Sequence, residues 1–246
     1  MSQKISVSLA LKSLLSKETK VVVLTGAGIS AESGVPTFRG EDGLWKKFRP
    51  EELATFDAFM ANPELVWEWY EYRRKIIEEI KPNPAHLALV EFQNHFEKFD
   101  LITQNVDGLH QQAGSKNVVE LHGNIKRNKC IRCGAKYETL EKTIKDIPPK
   151  CQCGGNIRPD VVWFGEMLPQ DALNYAFGVS SDCDLFLSVG TSAVVHPAAS
   201  LPMIAEKNGA YVVEANIEPT EISRLVDESL IGKAGEIMPL LVKFLK

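Results

Sequence analysis

Four of the chain's five cysteines fall in two close pairs, Cys130-x-x-Cys133 and Cys151-x-Cys153, with seventeen residues between the pairs. Four thiolates in two knuckles, with Gly134, Gly154 and Gly155 freeing the turns, suit tetrahedral zinc. All four positions would be filled by protein, leaving no place for a water. Such a metal is structural and clamps a segment too short to have its own core. Buried or redox-active free thiols are the alternative. The C-x-C knuckle is tighter than the usual C-x-x-C, so one of Cys151 and Cys153 is a candidate for a weaker ligand. An odd total of five cysteines, four of them clustered, resembles a metal site more than a disulfide framework. Cys183 stands alone and reads as a buried small hydrophobe.

A second constellation is rich in glycine. Thr25-Gly-Ala-Gly-Ile-Ser-Ala31 follows the β-branched run Val21-Val22-Val23, so a strand runs into a phosphate cradle, and Gly26, Gly28 and Ala31 fit G-x-G-x-x-A. Gly26 and Gly28 can take positive φ and let backbone N–H groups approach a pyrophosphate, with Ser30 capping a short helix that begins at Ala31. A tight strand-to-helix turn without a ligand is the alternative. A dehydrogenase would carry an acidic residue at the end of a second strand about 20 residues on. That window reads Leu44-Trp-Lys-Lys-Phe-Arg49, so a nucleotide here uses a different adenosine contact. Gly34, Pro36, Phe38, Arg39 and Gly40 form a long loop of the kind that closes over a ligand.

Two further groups can do chemistry. His122 follows the expected strand 117–121, and an imidazole with a pKa of about 6.5 serves as a general base at neutral pH. Taken alone, a histidine after a strand is more often structural. Tyr70 and Arg73 are three residues apart on an expected helix and offer a phenolic hydroxyl and a guanidinium fork to a carboxylate. The competing reading is a packed aromatic face with a basic edge, made from Trp67, Trp69, Tyr70, Tyr72, Arg73 and Arg74.

The elements that must position these groups alternate. Hydrophobic runs predict strands at 20–24, 100–103, 117–121, 161–164, 184–189 and 210–214. Helices are expected at 5–15, 50–60, 63–80, 85–96, 169–179, 197–208 and 234–245, with Asn62 capping the third and Pro63 in its first turn. Strands alternating with helices imply an α/β fold with a mostly parallel, doubly wound sheet. The segment 127–159 is cysteine-rich and without clear periodicity, so it reads as an insertion. Gln104, Asn105 and Asp107, His122, Gly190-Thr191-Ser192 and Asn216 all follow expected strands, where open α/β sheets place their ligands.

With 246 residues and 44% hydrophobic content, the chain can bury a sizeable core. A formal charge of −4 gives no global reason to bind nucleic acid or an anionic membrane. No apolar stretch reaches the length of a membrane span and no secretory signal is evident, so a cytoplasmic protein is expected.

Taken in order, Gly26-Ala-Gly-Ile-Ser30 with Pro36-Thr-Phe-Arg39, Thr103-Gln-Asn-Val-Asp107, Leu121-His-Gly123, the four cysteines and Val161-Val-Trp-Phe-Gly165 resemble the sirtuin family of NAD-dependent protein deacylases. The resemblance covers most of the chain. It implies a Rossmann-type large domain from 1–40, 85–125 and 160–246. A helical insertion (41–84) and a zinc-binding insertion (126–159) would form a smaller domain, with NAD and an acyl-lysine peptide meeting between the two. By the same resemblance, Gly26, Ala27, Gly28 and Arg39 lie on the phosphate side, and Phe38 covers the nicotinamide end. Ser30, Val106 and Asp107 line the nicotinamide pocket, and Gln104 and Asn105 address its ribose. Gly190, Thr191, Ser192, Asn216 and Ala234 hold the pyrophosphate and adenosine side.

The segment Val161, Trp163, Phe164, Gly165 and Glu166 would pair with the substrate backbone by strand addition. Tyr70 and Arg73 resemble the pair that marks the subclass removing succinyl and malonyl groups. His122, with Asn105 beside it, is the implied catalytic residue. By the same resemblance, the acyl oxygen would attack the ribose carbon that bears nicotinamide. The neutral histidine then takes a ribose hydroxyl proton so that a second hydroxyl attacks the acyl carbon, and water completes the release of lysine and 2′-O-acyl-ADP-ribose. A monomer is expected, with His86, His95, His110 and His196 left as structural or surface residues. The rival readings are a nicotinamide dehydrogenase, a non-enzymatic zinc-ribbon module and a mono-ADP-ribosyltransferase.

Overall fold

The computed structural model describes residues 5–37, 49–138, 140 and 147–246. Strand β1 (Lys20–Thr25) is buried at every residue after Lys20, and a strand so apolar on both faces needs cover on both. β2 (Lys98–Thr103) and β3 (Val119–Glu120) extend the parallel sheet on one side of β1. The chain then leaves it for a second, antiparallel sheet made of β4 (Gly123–Cys130), β5 (Lys136–Tyr137) and β6 (Ile157–Val161). β7 (Leu185–Val189), β8 (Tyr211–Asn216) and β9 (Glu228–Ile231) return to the first sheet on the other side of β1. The six-stranded order is therefore β3-β2-β1-β7-β8-β9, and the order reverses at β1. Crevices open at the carboxyl ends of such a reversal. Thr25 pairs in register with both Thr103 and Val189, so the residues that follow β1, β2 and β7 emerge side by side.

Alternation along the strands assigns each face its cover. Val21, Val23, Leu101, Leu187 and Val213 pack on one side against Leu11 of helix α1 (Leu9–Ser13). Val22, Leu24, Ile102, Phe186 and Val212 pack on the other. Helix α2 (Ala27–Ala31) follows β1.

The region after the glycine-rich loop holds short helices α3 (Pro50–Leu53) and α4 (Phe56–Ala61), then the long α5 (Pro63–Glu79). α6 (Pro84–His95) and α7 (Leu109–Ala113) flank β2. α8 (Gln170–Ser181), α9 (Leu201–Lys207) and α10 (Ala234–Val242) complete the layers. α6 and α10 join the α1 side through Leu89, Phe92 and Ile237, whereas α8 and α9 cover the other face through Ala176 and Leu201.

A separate core unites α3, α4 and α5 with the antiparallel sheet: Phe59, Trp67, Trp69 and Tyr70 meet Ile125, Ile157 and Trp163. Burying one such side chain stabilises by roughly 1.5–3 kcal/mol, so this core holds the three helices and the antiparallel sheet together. Polar contacts fix their register. Trp67 Nε1 donates to the Ile157 carbonyl at 3.1 Å, and Arg74 donates to the Ile125 carbonyl at 2.7 Å and to Asn128 Oδ1 at 2.7 Å.

Several expectations change. The first helix begins at Leu9, where Ser8 accepts from Leu11 N, and residues 5–8 stay outside it. The expected helix 50–60 breaks at Ala54, because Thr55 caps α4 and the Ala54 carbonyl accepts from Phe164 N. The expected strand at 161–164 does not restart the large sheet; Val161 ends β6 in the small one. The helix 197–208 divides into a 3₁₀ turn (Ala198–Ser200) and α9. β4, β5 and β9 have no counterpart among the expected strands. Among the described residues, no helix is long and apolar enough to cross a membrane.

Candidate active site

A cleft of about 1360 Å³ lies along the carboxyl ends of the main sheet, and the core of α3, α4, α5 and the antiparallel sheet supplies its other wall. The glycines form its floor for a reason other than the one expected. Gly26 has an extended φ of −126°, and neither it nor Gly28 is among the positive-φ residues. Their need for glycine is close approach: a Cβ on Gly26 or on Gly28 would stand 2.8 Å from the backbone of Gly190. Gly28 N donates to the Gly190 carbonyl at 2.8 Å, and Gly190 itself has a φ of +61°. The turns that follow β1 and β7 thus touch backbone to backbone. α2 starts at Ala27 with Gly26 as its cap, so Ser30 is not a cap but an interior residue.

Ser30 is instead the centre of a buried polar network. Its hydroxyl donates to Asp107 Oδ2 at 2.8 Å and accepts from Asn105 Nδ2 at 3.1 Å, and Asn105 Nδ2 also reaches the Gly26 carbonyl at 3.0 Å. Asp107 Oδ1 accepts from Leu109 N at 2.9 Å. Burial pushes the Asp107 carboxyl above its ordinary range, while these donors with Lys126 and Arg73 oppose the shift. Gln104 Nε2 and Asn216 Nδ2 both bind Thr191, at its hydroxyl (3.0 Å) and carbonyl (2.9 Å), which ties the ends of β2, β7 and β8 into one rim. Val106, Ser192 and Ala234 join the lining.

His122 lines the same cleft and places Nδ1 2.9 Å from the Gln104 carbonyl. A carbonyl only accepts, so Nδ1 carries the proton and Nε2 is left with its lone pair. Burial lowers the His122 pKa from the usual value, with the Gln104 carbonyl opposing, which favours the neutral ring. A neutral imidazole with a fixed tautomer can take up a proton at Nε2. His86 and His110 lie behind the cradle, as structural residues should. His86 approaches Ser30 Oγ at 3.4 Å with its pKa lowered to about 4 by burial, and His110 bonds Thr25 Oγ1 at 2.9 Å with its pKa lowered to about 3. His95 sits outside the cleft, but His196 is part of its lining, as are Glu32, Thr37, Lys233 and the loop after Asn216, none of which the sequence singled out for this role.

Tyr70 and Arg73 both reach the cleft from α5, and both are buried. Arg73 lies over the Trp69 ring at 4.8 Å, and Tyr70 accepts a 2.8 Å hydrogen bond from Trp163 Nε1. Val161 and the residues after it also line the cleft, and Val161 and Trp163 share a core with Tyr70. Val162 N donates to the His122 carbonyl at 2.9 Å, which links this wall to the imidazole's backbone. Its extended course reaches Phe164 and then turns, with Gly165 at φ +83° and Glu166 N bonded to the Trp163 carbonyl at 3.0 Å. The Glu166 carboxylate is engaged by Arg158 and by Trp163 N at 2.9 Å. Phe38 and Arg39 lie outside the described residues.

The four cysteines form a cluster whose sulfurs all lie within 4.8 Å of one another, and none of them lines the cleft. Cys130 Sγ and Cys153 Sγ are 3.5 Å apart, Cys133 Sγ and Cys151 Sγ 3.6 Å, against about 3.8 Å for the edge of a zinc tetrathiolate tetrahedron with ordinary Zn–S bonds. Both members of the C-x-C knuckle therefore reach the centre. A Cβ on Gly155 would stand 2.7 Å from Cys130 Sγ, so that glycine makes room for the sulfur. The residues fit zinc, which Cys130, Cys133, Cys151 and Cys153 would hold.

The Sir2 family model matches residues 26–197, which takes in the glycine cradle, the Ser30 network, His122 and the cysteines. The chain belongs to the Sir2 family. An NAD-dependent protein deacylase of Aquifex aeolicus is 56% identical over 87% of this chain and 90% of that protein. NAD-dependent protein deacylase 2 of Pyrobaculum aerophilum is 53% identical over 95% and 94%. Among solved structures, a Sir2 homologue in complex with ADP-ribose superposes with a TM-score of 0.89 at 45% identity, covering 98% of this chain and 96% of the other. A Sir2 homologue in complex with NAD gives 0.88 at 45% identity, with 98% and 94% covered. A Sir2 structure with a deacetylated p53 peptide and 3′-O-acetyl ADP-ribose gives 0.82 at 38% identity, with 95% and 96% covered. Membership of the Sir2 family fits the α/β sheet with its cysteine-bearing module and the cleft between two cores.

Proposed function

We propose that this chain is an NAD-dependent protein deacylase that removes acyl groups from lysine side chains, yielding nicotinamide, 2′-O-acyl-ADP-ribose and free lysine. The observation that carries the proposal is the placement of His122: its Nδ1 lies 2.9 Å from the Gln104 carbonyl, in the cleft that also gathers the glycine cradle and the strand-end polar residues. NAD supplies the electrophilic ribose carbon and nicotinamide as the leaving group. His122 Nε2 accepts the ribose hydroxyl proton. Gln104 and Asn105 orient that ribose, and the buried Ser30 and Asp107 fix Asn105 and the floor of the nicotinamide pocket. Gly26, Ala27 and Gly28, with Arg39 and Phe38, which lie outside the described residues, take the phosphate and nicotinamide ends. Gly190, Thr191, Ser192, Asn216 and Ala234 take the adenosine side. The wall from Val161 to Glu166 takes the peptide. Zinc supplies only a clamp for the small module.

A specific observation extends the reading to acidic acyl groups: Arg73 and Tyr70 stand together, buried, in the wall of the cleft. Succinyl and malonyl groups end in a carboxylate that such a pair would bind, and acetyl-lysine enters without a clash. A core of α3, α4, α5 and the antiparallel sheet, separate from the two that cover the faces of the parallel sheet, supports a division into a large unit (1–40, 85–125 and 160–246) and a small unit (41–84 and 126–159). The partner is an acyl-lysine protein or peptide. The net charge of −4 supports a protein that acts without nucleic acid, and we take it to work in the cytoplasm as a monomer. The test is to incubate the protein with NAD and an acetyl- or succinyl-lysine peptide and to weigh the products. Equal amounts of deacylated peptide and O-acyl-ADP-ribose are expected, and acyl loss without that product would refute the reading.

A further inference from the structure

The loop of residues 217–227 joins β8 to β9, and its first residues, among them Ile217, Pro219 and Thr220, form one wall of the cleft. Within the loop only Ile222 is buried, so apolar packing does little to hold that wall. A carboxylate holds it instead. Glu214 of β8 is 1% exposed and does not line the cleft, yet its oxygens accept hydrogen bonds from Thr220 Oγ1, from Ser223 Oγ and, at 3.1 Å, from Ser229 Oγ. Each loop hydroxyl also grips backbone: Ser223 Oγ accepts from Thr220 N at 2.7 Å, and Thr220 Oγ1 accepts from Ile222 N at 3.3 Å. Ser229 is the register partner of Glu214 in the neighbouring strand, so the fixed end of this arrangement lies in the sheet and the free end in the loop. Hydrogen bonds to a buried carboxylate are charge-assisted, and leaving such a group unpaired is costly, so the loop closes on Glu214 in one arrangement.

We propose that Glu214 is a positioning residue that staples residues 217–223 into the cleft wall and thereby sets the affinity for the adenosine side of NAD, leaving the chemistry at His122 untouched. The inference rests on reading the cleft as an NAD site. Glu214→Gln keeps the shape of the side chain but turns one accepting oxygen into a donor that faces a hydroxyl. Ser223→Ala removes one donor at a residue that does not line the cleft. The readouts are ADP-ribose affinity by calorimetry, KM for NAD against kcat and peptide KM, and tryptic cleavage after the exposed Arg224 in ligand-free protein.

For Glu214→Gln, loss of a charge-assisted bond raises the ADP-ribose Kd and the KM for NAD about tenfold. Ser223→Ala raises them several-fold. In both, kcat and peptide KM stay at the parent's values and cleavage at Arg224 quickens. Folded variants that bind ADP-ribose as the parent does, or that lose kcat and peptide affinity in proportion, overturn the proposal. Should Glu214→Gln fail to fold, Ser223→Ala decides on the same readouts. A parent protein that binds no ADP-ribose overturns the NAD reading, and cleavage at Arg224 then decides the staple alone.

Discussion

Replacing Arg73 by methionine asks whether the cleft tells acyl groups apart by charge. Arg73 is 8% exposed, lines the cleft and lies 4.8 Å over the Trp69 ring. Burial lowers its pKa, while Tyr70 and Asp107 oppose the shift, and a guanidinium keeps its proton at neutral pH. A carboxylate on the acyl chain would meet that charge away from bulk water. One charge-assisted hydrogen bond is worth about 1.5–3 kcal/mol, or about 10- to 150-fold in kcat/KM if it is felt in the transition state. Tyr70 offers a second donor, since its hydroxyl accepts from Trp163 Nε1 at 2.8 Å and, among the described residues, its own proton has no acceptor. Methionine keeps most of the length of the stem and an apolar contact with the Trp69 ring. The assay compares kcat/KM for matched succinyl- and acetyl-lysine peptides at saturating NAD, with Tm as the control for folding. Desuccinylation is expected to fall within that range and deacetylation to stay within a few-fold. Equal losses for the two peptides, or no desuccinylation by the parent, would refute the reasoning.

Three other outcomes are expected. His122→Ala lowers turnover by at least the ~10²-fold of a lost general base while NAD binding persists, and the acid limb of the parent's kcat/KM lies below about 6.5 because burial lowers the imidazole pKa; near-normal turnover in the variant would contradict the assignment. Metal analysis should find one zinc per chain, with Cys130→Ala losing metal and fold together and no selective change in chemistry; folded, active protein without zinc would reject this. The two buried histidines also set an acid limit. His86 and His110 stay neutral in the folded protein down to about 4 and about 3, whereas the unfolded chain takes up their protons near the ordinary value of about 6.5, so stability is full above that pH and falls as pH drops toward 4. A Tm that stays flat from neutral pH to pH 4 would contradict it.

The parts of the molecule that sequence made legible are those whose cause is local. Val21-Val22-Val23 is a strand in any context that buries both faces, Asn62-Pro63 starts α5 where a cap and a first-turn proline should, and the i, i+3 and i+4 spacing placed Trp67, Tyr70 and Arg73 on one buried face. The four cysteines announced their cluster through spacing alone. The features that escaped depend on partners far along the chain. Ser30 is an anchor for Asp107, 77 residues away, and nothing near Ser30 distinguishes that role from a helix cap. Gly26 and Gly28 are glycines because Gly190 crosses them, a contact invisible in a turn motif. β4 is largely polar, and its ladder is irregular between Asn124 and Asn128, so it lacks an alternating pattern. β9 is a four-residue edge strand that only its pairing with β8 reveals. His196 joins the cleft through the fold of the loop after β7, with no signal in its neighbours.

The most direct test of the central claim is nicotinamide release from NAD, measured with and without an acyl-lysine peptide, in the parent protein and in His122→Ala. The account predicts release only when the peptide is present, one nicotinamide for each lysine freed, and deacylated peptide lost in the His122 variant while NAD still binds. Lysine freed without nicotinamide, or at an undiminished rate in the variant, would contradict it.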